Sequence, residues 1–504
     1  MATIKSKAAA KKTKAEEVED DPKPTKAKKA KTPADLDRKA QDMLDLVSEL
    51  DKVAGVTAVT IGDEGRMHTG LLCMDLMLGG GIAPNMYIFV GPEQSAKTTL
   101  SITMMAASVD QRVDLRAHWD AEGSTSSSMS YVANIFQTVG VKNADAETVF
   151  GIRDEKGWVA PPIVHLKDDN EGKKFFDWLY ALQKRLPDKR FSDGRWWYVF
   201  DDSKDPTKVK ARIAAMDMTV DTVMSSKNTG LWVPAKDGRL QAIILLDSWP
   251  ALLPPTMDDD EGDNSIAVQA RFFSKEILRV KGSFRSKRIA LLSVNQLRKN
   301  PMARFGNPET EPGGEAIKYY SDCRLRLWPN ALSTAPYSPK PSDIEDKKFL
   351  EQEPSVTGEG FDFYRYIKVN TIKNKLSIPN RKTWLRLWVE DCNGEARGFD
   401  PVFDLFHYLI ETGQASGDRK KGIWLHLDGI DAATKALKWI EFKTLVLGEK
   451  EAVKEIFERI GMKPVNLRKG CMNQLRRGEG ERLFVEQVRE RMTSGRKTKD
   501  EETD

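Results

Sequence analysis

The chain has 504 residues, of which 79 are Lys or Arg and 75 are Asp or Glu, for a formal net charge of +4. That length exceeds one ordinary core, so two or three domains with a large α/β core are expected, and so mild a basic excess leaves any nucleic-acid site to local charge arrangement. The cysteines, Cys73, Cys323, Cys392 and Cys471, form no CxxC pair, which argues against a zinc ribbon or a disulfide framework and fits a reducing, cytoplasmic compartment; no apolar run suits a bilayer or a secretory signal, so no membrane contact is expected.

Residues 1–32 alternate Lys, Ala, Thr and Pro around the acidic patch Glu16 to Asp21 and cannot build a core, so a disordered tail is expected. Lys11, Lys12, Lys28 and Lys29 read as a DNA-attracting arm or a localisation signal or, as is commoner for charge runs, as a solvated tail. From Ala34 to Val53 the residues Leu36, Met43, Leu44, Leu46, Val47, Leu50 and Val53 recur near helical spacing. One face of a helix is thus available to its own domain or to a neighbouring subunit.

The apolar run Met86-Tyr87-Ile88-Phe89-Val90 leads into Gly91-Pro92-Glu93-Gln94-Ser95-Ala96-Lys97-Thr98-Thr99, and a helix-like run, Leu100 to Ala107, leads out. Strand, loop and helix in that order make a phosphate cradle: backbone N–H groups face the anion, Lys97 reaches the terminal phosphates and the Thr98 hydroxyl holds Mg²⁺. Ala96 stands where glycine is usual. Alanine is tolerable there if φ stays negative and the methyl finds room.

Val113 to Glu122 reads as a short strand ending in two carboxylates, Asp120 and Glu122, with His118 facing the sheet packing. Either carboxylate can polarise an attacking water, or be a solvated strand-end acid. Pro162 to Lys167 and Gly172 to Leu186 give a further strand and an amphipathic helix with Phe175, Phe176, Trp178, Leu179 and Leu182. From about 187 to 239 the pattern turns irregular, with Arg195-Trp196-Trp197-Tyr198 and a helix-like run from Val209 to Val223, and reads as an insertion. Aromatics beside arginine stack on bases or bury themselves in a satellite core; burial is the commoner outcome.

Leu240 to Ser248 is an apolar strand that delivers Asp247 to the same sheet edge as the loop, as a carboxylate supporting Mg²⁺ must be. A polar loop, Met257 to Asn264, leads to a helix with Arg271, Phe272, Phe273 and Lys275. The strand Ile289 to Val294 then ends at Asn295-Gln296, and a loop from Arg298 to Gly314 mixes cations, glycines and Phe305.

Assembled, these stretches resemble a RecA-family DNA recombinase over most of Gly70 to about Gly413. The resemblance is dense at Gly91 to Thr99 with its lead-in Met74 to Gly81, at Leu245 to Pro254, and at Asn295 to Tyr320. Within the last, Phe305-Gly306-Asn307-Pro308-Glu309-Thr310 sets it apart from other phosphate-loop ATPases. The resemblance implies an α/β fold, a RecA-type ATPase core with a mostly parallel central sheet flanked by helices, plus a small α+β C-terminal lobe. It implies that Lys97 and Thr98 bind ATP and Mg²⁺, that Asp247 supports the metal through water, that Glu122 activates the hydrolytic water and that Gln296 senses the γ-phosphate. Ile266, Arg271, Arg298, Arg304, Phe305, Gly313 and Gly314 fall where the family holds single-stranded DNA. Lys373 and Lys375, within Thr371-Ile372-Lys373-Asn374-Lys375, match a lysine pair that reaches ATP in the neighbouring subunit; without the resemblance they read as guards of a strand edge.

Implied partners are single-stranded DNA, homologous duplex DNA and further copies of the chain in a helical filament. The expected organisation is a tail at 1–32, a helical segment at 33–69, the ATPase core at 70–413 with insertions near 187–239 and 329–360, a lobe at 414–495 and a tail at 496–504. In the lobe, the basic tract Arg468 to Arg482 reads as a duplex-binding surface or a solvated helical face. Ala96, the insertions and Ser124 to Ser130, which leaves Tyr131 as the residue to stack on adenine, depart from the compact pattern and suggest a bacteriophage-type member. Two rival readings share the nucleotide site: a RecA-fold motor or helicase, and a paralogue that remodels filaments without hydrolysis.

Overall fold

The apolar run from Met86 folds as a strand, Met86–Gly91, buried at every position, as a strand covered on both faces must be. The structure is a computed structural model that describes residues 66–111, 113–186, 189–192, 195–200, 223–224, 231–234, 240–255, 265–299, 309–330 and 350–500. The helix expected from Ala34 to Val53 lies outside them.

Met86–Gly91 stands inside a ten-stranded sheet whose order is Gly398–Phe399, Lys382–Glu390, Phe361–Asn374, Cys323–Asn330, Met86–Gly91, Ile289–Gln296, Ala242–Asp247, Leu115–Asp120 and His165–Asp168, with Glu351–Pro354 paired to Phe361–Asn374. From Cys323–Asn330 to His165–Asp168 the pairing is parallel; beyond Cys323–Asn330 in the other direction it is antiparallel. Parallel register sets Gly91 opposite Gln296 and Asp247 opposite Asp120. Four separate stretches of chain thereby end at one sheet edge, where open α/β sheets bind ligands.

Alternation along the strands builds two cores. Ile243 and Leu245 face one apolar cluster, with Ile102, Met105, Ile135 and Leu405; Ile244 and Leu246 face the other, with Phe175, Phe176, Phe273 and Ile277. The second is aromatic: Trp119 meets Phe175 edge-on at 5.4 Å and Trp249 meets Phe273 at 5.2 Å between centroids. Each such pair adds about 0.5–1.5 kcal/mol beyond its buried area. His118 is buried in the sheet, where desolvation lowers its pKa to about 4.

The stretch read as irregular contains a separate four-stranded sheet, Lys189–Ser192, Arg195–Phe200, Leu231–Pro234 and Val223–Met224 in spatial order. Its strands consist largely of aromatic and β-branched residues, which fit a pleated surface. The run expected to be helical from Val209 to Val223 lies mostly outside the described residues.

Towards the C-terminus, helices Trp439–Leu447, Lys450–Ile460 and Leu467–Arg476 follow the hairpin Ala415–Asp418 and Gly422–Leu425. Part of the basic tract is spent on structure. Arg468 donates to the Gly70 carbonyl, and Arg476 Nε donates to His68 Nε2 at 2.9 Å. A buried ion network joins this region to the antiparallel strands: Arg386, whose side chain is 0% exposed, reaches Glu353 at 2.5 Å and Asp400 at 2.5 Å. Arg419 meets Glu351 and Glu353 at 2.9 Å each, and Lys443 lies 3.5 Å from both Glu353 and Asp362. Among the described residues no helix is long and apolar enough to cross a membrane.

Candidate nucleotide-binding site

The phosphate loop turns where the strand ends. A Cβ on Gly91 would strike the Leu327 carbonyl and the Ser95 hydroxyl, so glycine is required there by close approach alone. Ala96 corrects the expectation of a negative φ. It sits at φ +61°, in the left-handed region, with its methyl buried. The loop must reverse before the helix Lys97–Ala107 begins, and the Ala96 carbonyl already accepts from the Leu100 N–H at 2.9 Å. That geometry overrides a backbone preference worth about 1–2 kcal/mol.

Lys97, the first helical residue, is 8% exposed, and its ammonium donates to the Gly91 and Pro92 carbonyls at 3.1 and 2.6 Å and to Ser95 Oγ at 3.3 Å. Burial lowers its pKa to about 8 against the pull of Asp247, Glu122 and Glu93. Beside it, Thr98 Oγ1 donates to Asp247 Oδ2 at 2.5 Å. Burial lifts the Asp247 carboxyl to about 7; the Thr98 hydrogen bond opposes that, while Glu122 and Asp120 add to it. The helix N-terminus, a cation and two hard oxygen donors thus converge where an anion and its metal would sit.

Those donors fit Mg²⁺ in one way only. Among the described residues no group of three or more His, Cys, Asp or Glu is placed to hold a metal. Mg²⁺ suits a site with one carboxylate and one hydroxyl when the substrate's phosphates supply further ligands.

The two strand-end carboxylates divide. Asp120 is fully buried and accepts from the backbone N–H groups of Ser124, Thr125 and Ser126 at 3.2, 2.7 and 3.3 Å, so it shapes the loop. Glu122 is exposed at the edge, where its Oε1 accepts from Ser248 Oγ and from Gln296 Nε2, the latter at 3.0 Å. Ser248 is the contact that sequence reasoning missed. Its signal was only a hydroxyl directly after the acidic strand end.

Gln296 is the last residue of its strand, and Arg298 opens a two-residue ribbon with Arg298 opposite Thr310. Asn295 Nδ2 donates to the Pro312 carbonyl at 3.2 Å, and Gly314, at φ +81°, lies so close to Ala270 that a Cβ would come within 2.7 Å of it. The base of this loop therefore rests on the helix Ser265–Lys281 beside exposed Arg271. Gly313 also takes a positive φ, +90°. Arg304 and Phe305 lie outside the described residues, as do the side chains of Ile266 and Arg298.

Tyr131 meets the phosphate-loop helix through its hydroxyl, 2.9 Å from Thr99 Oγ1. Lys373 and Lys375 are not brought to the loop. Asn374 pairs with Cys323 and Cys323 with Tyr87, at the far end of the strand that finishes at Gly91. There Lys373 donates to the Lys318 and Tyr319 carbonyls at 2.8 Å each, and Lys375 lies 3.9 Å from Asp322. Burial lowers the Lys373 pKa, helped by Lys375, Lys281 and Arg324.

The sequence model of the RecA N-terminal domain family matches residues 235–333, the stretch that carries Asp247, Ser248, Gln296 and the loop beyond. Protein RecA of Thermus aquaticus is 30% identical over 183 residues, 36% of this chain and 45% of that protein. Protein RecA of Streptococcus mutans is 28% identical over 226 residues, 44% of this chain and 52% of that protein. The chain spans about half the length of the curated relatives it matches. The crystal structure of the RadB recombinase aligns with 66% of this chain and 98% of its own at 13% identity and a TM-score of 0.36, too slight a likeness to carry weight.

Proposed function

We propose, from the premise that this chain is a RecA-family protein, that it is a DNA-dependent ATPase that forms filaments on single-stranded DNA and pairs that strand with homologous duplex in recombination and repair. The observation that carries the reading is the contact of Gln296 with Glu122, two residues before Arg298 opens the candidate DNA loop. A group that touches the nucleotide edge and begins the loop can pass the state of one to the other.

In this reading the loop N–H groups and Lys97 bind the phosphates of ATP, and Tyr131 packs towards the base. Thr98 and Asp247 hold Mg²⁺, which when bound neutralises charge on the phosphate oxygens. Glu122 orients a water and takes its proton as the water oxygen bonds to the terminal phosphorus; the bond from that phosphorus to the bridging oxygen breaks and ADP leaves. Ser248 and Gln296 fix the carboxylate for that step. Arg271, Arg298 and Arg304 hold DNA phosphates, Gly313 and Gly314 let the backbone come close to the strand, and Ile266 and Phe305 wedge between bases. Lys373 and Lys375 act on the ATP of an adjacent copy, stabilising charge in the transition state from outside.

The test is ATP hydrolysis by purified protein with and without single-stranded DNA, with Lys97→Ala as the blank. Strong stimulation that rises cooperatively with protein is expected. Hydrolysis no greater than the blank, with DNA binding intact, would overturn the ATPase and favour a non-hydrolysing paralogue; turnover with rings instead of filaments under the electron microscope would favour a motor.

A further inference from the structure

Arg365 is a cation that the function above leaves without a task. It lies on the strand Phe361–Asn374, opposite Leu387 and two residues before Ile367, which faces the apolar cluster shared with the phosphate-loop helix. Residues two apart along a strand share a face, so Arg365 stands on that same side of the sheet. The pairing also fixes its height. Asn330 lies opposite Tyr366, and Cys323–Asn330 runs parallel to Met86–Gly91, so Arg365 sits just past the end of its neighbour strand, at the edge where the phosphate loop turns.

Its surroundings single it out. Nε is sealed from water with no hydrogen-bond partner, and among the described residues no carboxylate pairs with the guanidinium. Burial lowers its pKa, and the one ionisable group that opposes this is Tyr131. Asp391 and Glu395, beyond the paired strand, are taken by Arg397 and Asn134. A half-buried cation with no partner costs free energy until an acceptor meets it. Tyr131 packs against the same apolar cluster and joins the phosphate-loop helix through Thr99, one residue past Thr98. With phosphates on Lys97 and Thr98, the part of a nucleotide that reaches Tyr131 and Arg365 is its nucleoside end.

Base edges differ in what they offer a guanidinium. Guanine and hypoxanthine present two adjacent acceptors, O6 and N7, which match its fork; adenine presents N7 beside an amino donor, and cytosine an amino donor with no N7. We propose that Arg365 reads the edge of the base and makes the site selective for 6-oxopurine triphosphates over ATP. This selectivity rests on the nucleotide-binding reading above; ATP still binds, offering one acceptor instead of two.

The experiment measures equilibrium binding of GTP, ITP, 7-deaza-GTP, ATP and CTP with Mg²⁺ to the full chain by calorimetry, without DNA. GTP and ITP should bind about 5–150-fold more tightly than ATP, the range of one bidentate pair, and 7-deaza-GTP, which lacks the N7 acceptor, should fall towards ATP. Arg365→Ala should abolish that difference. Arg365→Gln supplies one donor and one acceptor, the pair that matches adenine, and should turn the preference round in favour of ATP, a gain that no misfolded variant shows. Lys97→Ala separates the base contact from the site it belongs to. Binding that is lost in Lys97→Ala but is equally tight for GTP and ATP in the wild type would overturn the base contact alone. An equal loss on all five nucleotides in Arg365→Ala would place the guanidinium on a phosphate or sugar and overturn it too. Failure of every triphosphate to bind, or binding indifferent to Lys97→Ala, would overturn the nucleotide site itself and the selectivity with it.

Discussion

Ala96 and Asp247 show how single residues store destabilisation at the site. Ala96→Gly removes a left-handed alanine worth about 1–2 kcal/mol but adds unfolded-chain entropy worth about 0.4–1 kcal/mol. A net gain near 0.5–1 kcal/mol is expected, read as a higher urea midpoint at unchanged slope. For Asp247 the folded pKa, about 7, lies above the ordinary 3.8. The folded state therefore binds the extra proton between those values, and its stability falls as pH rises from about 4 to 7, by at most about 4 kcal/mol from this group. Lys97 runs the other way: its folded pKa is about 8 against 10.5, so stability rises as pH climbs between those values. Asp247→Asn should accordingly raise the melting temperature at pH 8 and leave it nearly unchanged at pH 4, while losing Mg²⁺-dependent ATP binding. Equal effects at both pH values would show that the carboxyl is not strained. Glu122→Gln keeps an acceptor for Ser248 and Gln296 yet cannot take a proton, so turnover should drop about 10²–10⁴-fold with ATP affinity retained; unchanged turnover would remove Glu122 as the base.

At the scale of elements, what could be read in advance follows from which strands are covered on both faces. Met86–Gly91 and Ala242–Asp247 are continuous apolar runs ending in glycine and aspartate, and Ile289–Gln296, which ends in glutamine, is interrupted only by Ser293 and Asn295, so both their burial and the meeting of their ends were legible. The small sheet was not, since consecutive aromatics such as Trp196-Trp197-Tyr198 hide the alternation that marks a strand until the register is known. Nor was Ala96, because its φ is imposed by the turn into the helix rather than by its own preference. The buried network around Arg386 was equally invisible: its acids are Glu351 and Glu353 on one short strand and Asp400 at the N-cap of a helix, and only the folded pairing brings them to Arg386. Arg386→Ala leaves those carboxylates without their central cation and should cost about 3–5 kcal/mol, seen as a lower urea midpoint. A loss below about 1 kcal/mol would mean that Arg419 and Lys443 suffice on their own.

At the scale of the molecule, the distance between Lys97 and the pair Lys373 and Lys375 becomes a statement about assembly. Within one chain they occupy opposite ends of the sheet, so a lysine that serves catalysis from that end must serve another copy's nucleotide. Head-to-tail contacts of this kind generate open filaments when the rotation does not close. Two inactive variants should then repair each other. Lys97→Ala lacks its own nucleotide site but presents intact lysines; Lys373→Ala with Lys375→Ala keeps the site but presents none. In a filament grown from equal amounts of both, about one interface in four joins an intact site to intact lysines, so roughly a quarter of wild-type turnover should return on mixing, provided single-stranded DNA is present to assemble the copies. Turnover that stays at the level of either variant alone, with mixed filaments visible by electron microscopy, would place the lysines outside catalysis and leave them as guards of an exposed strand end.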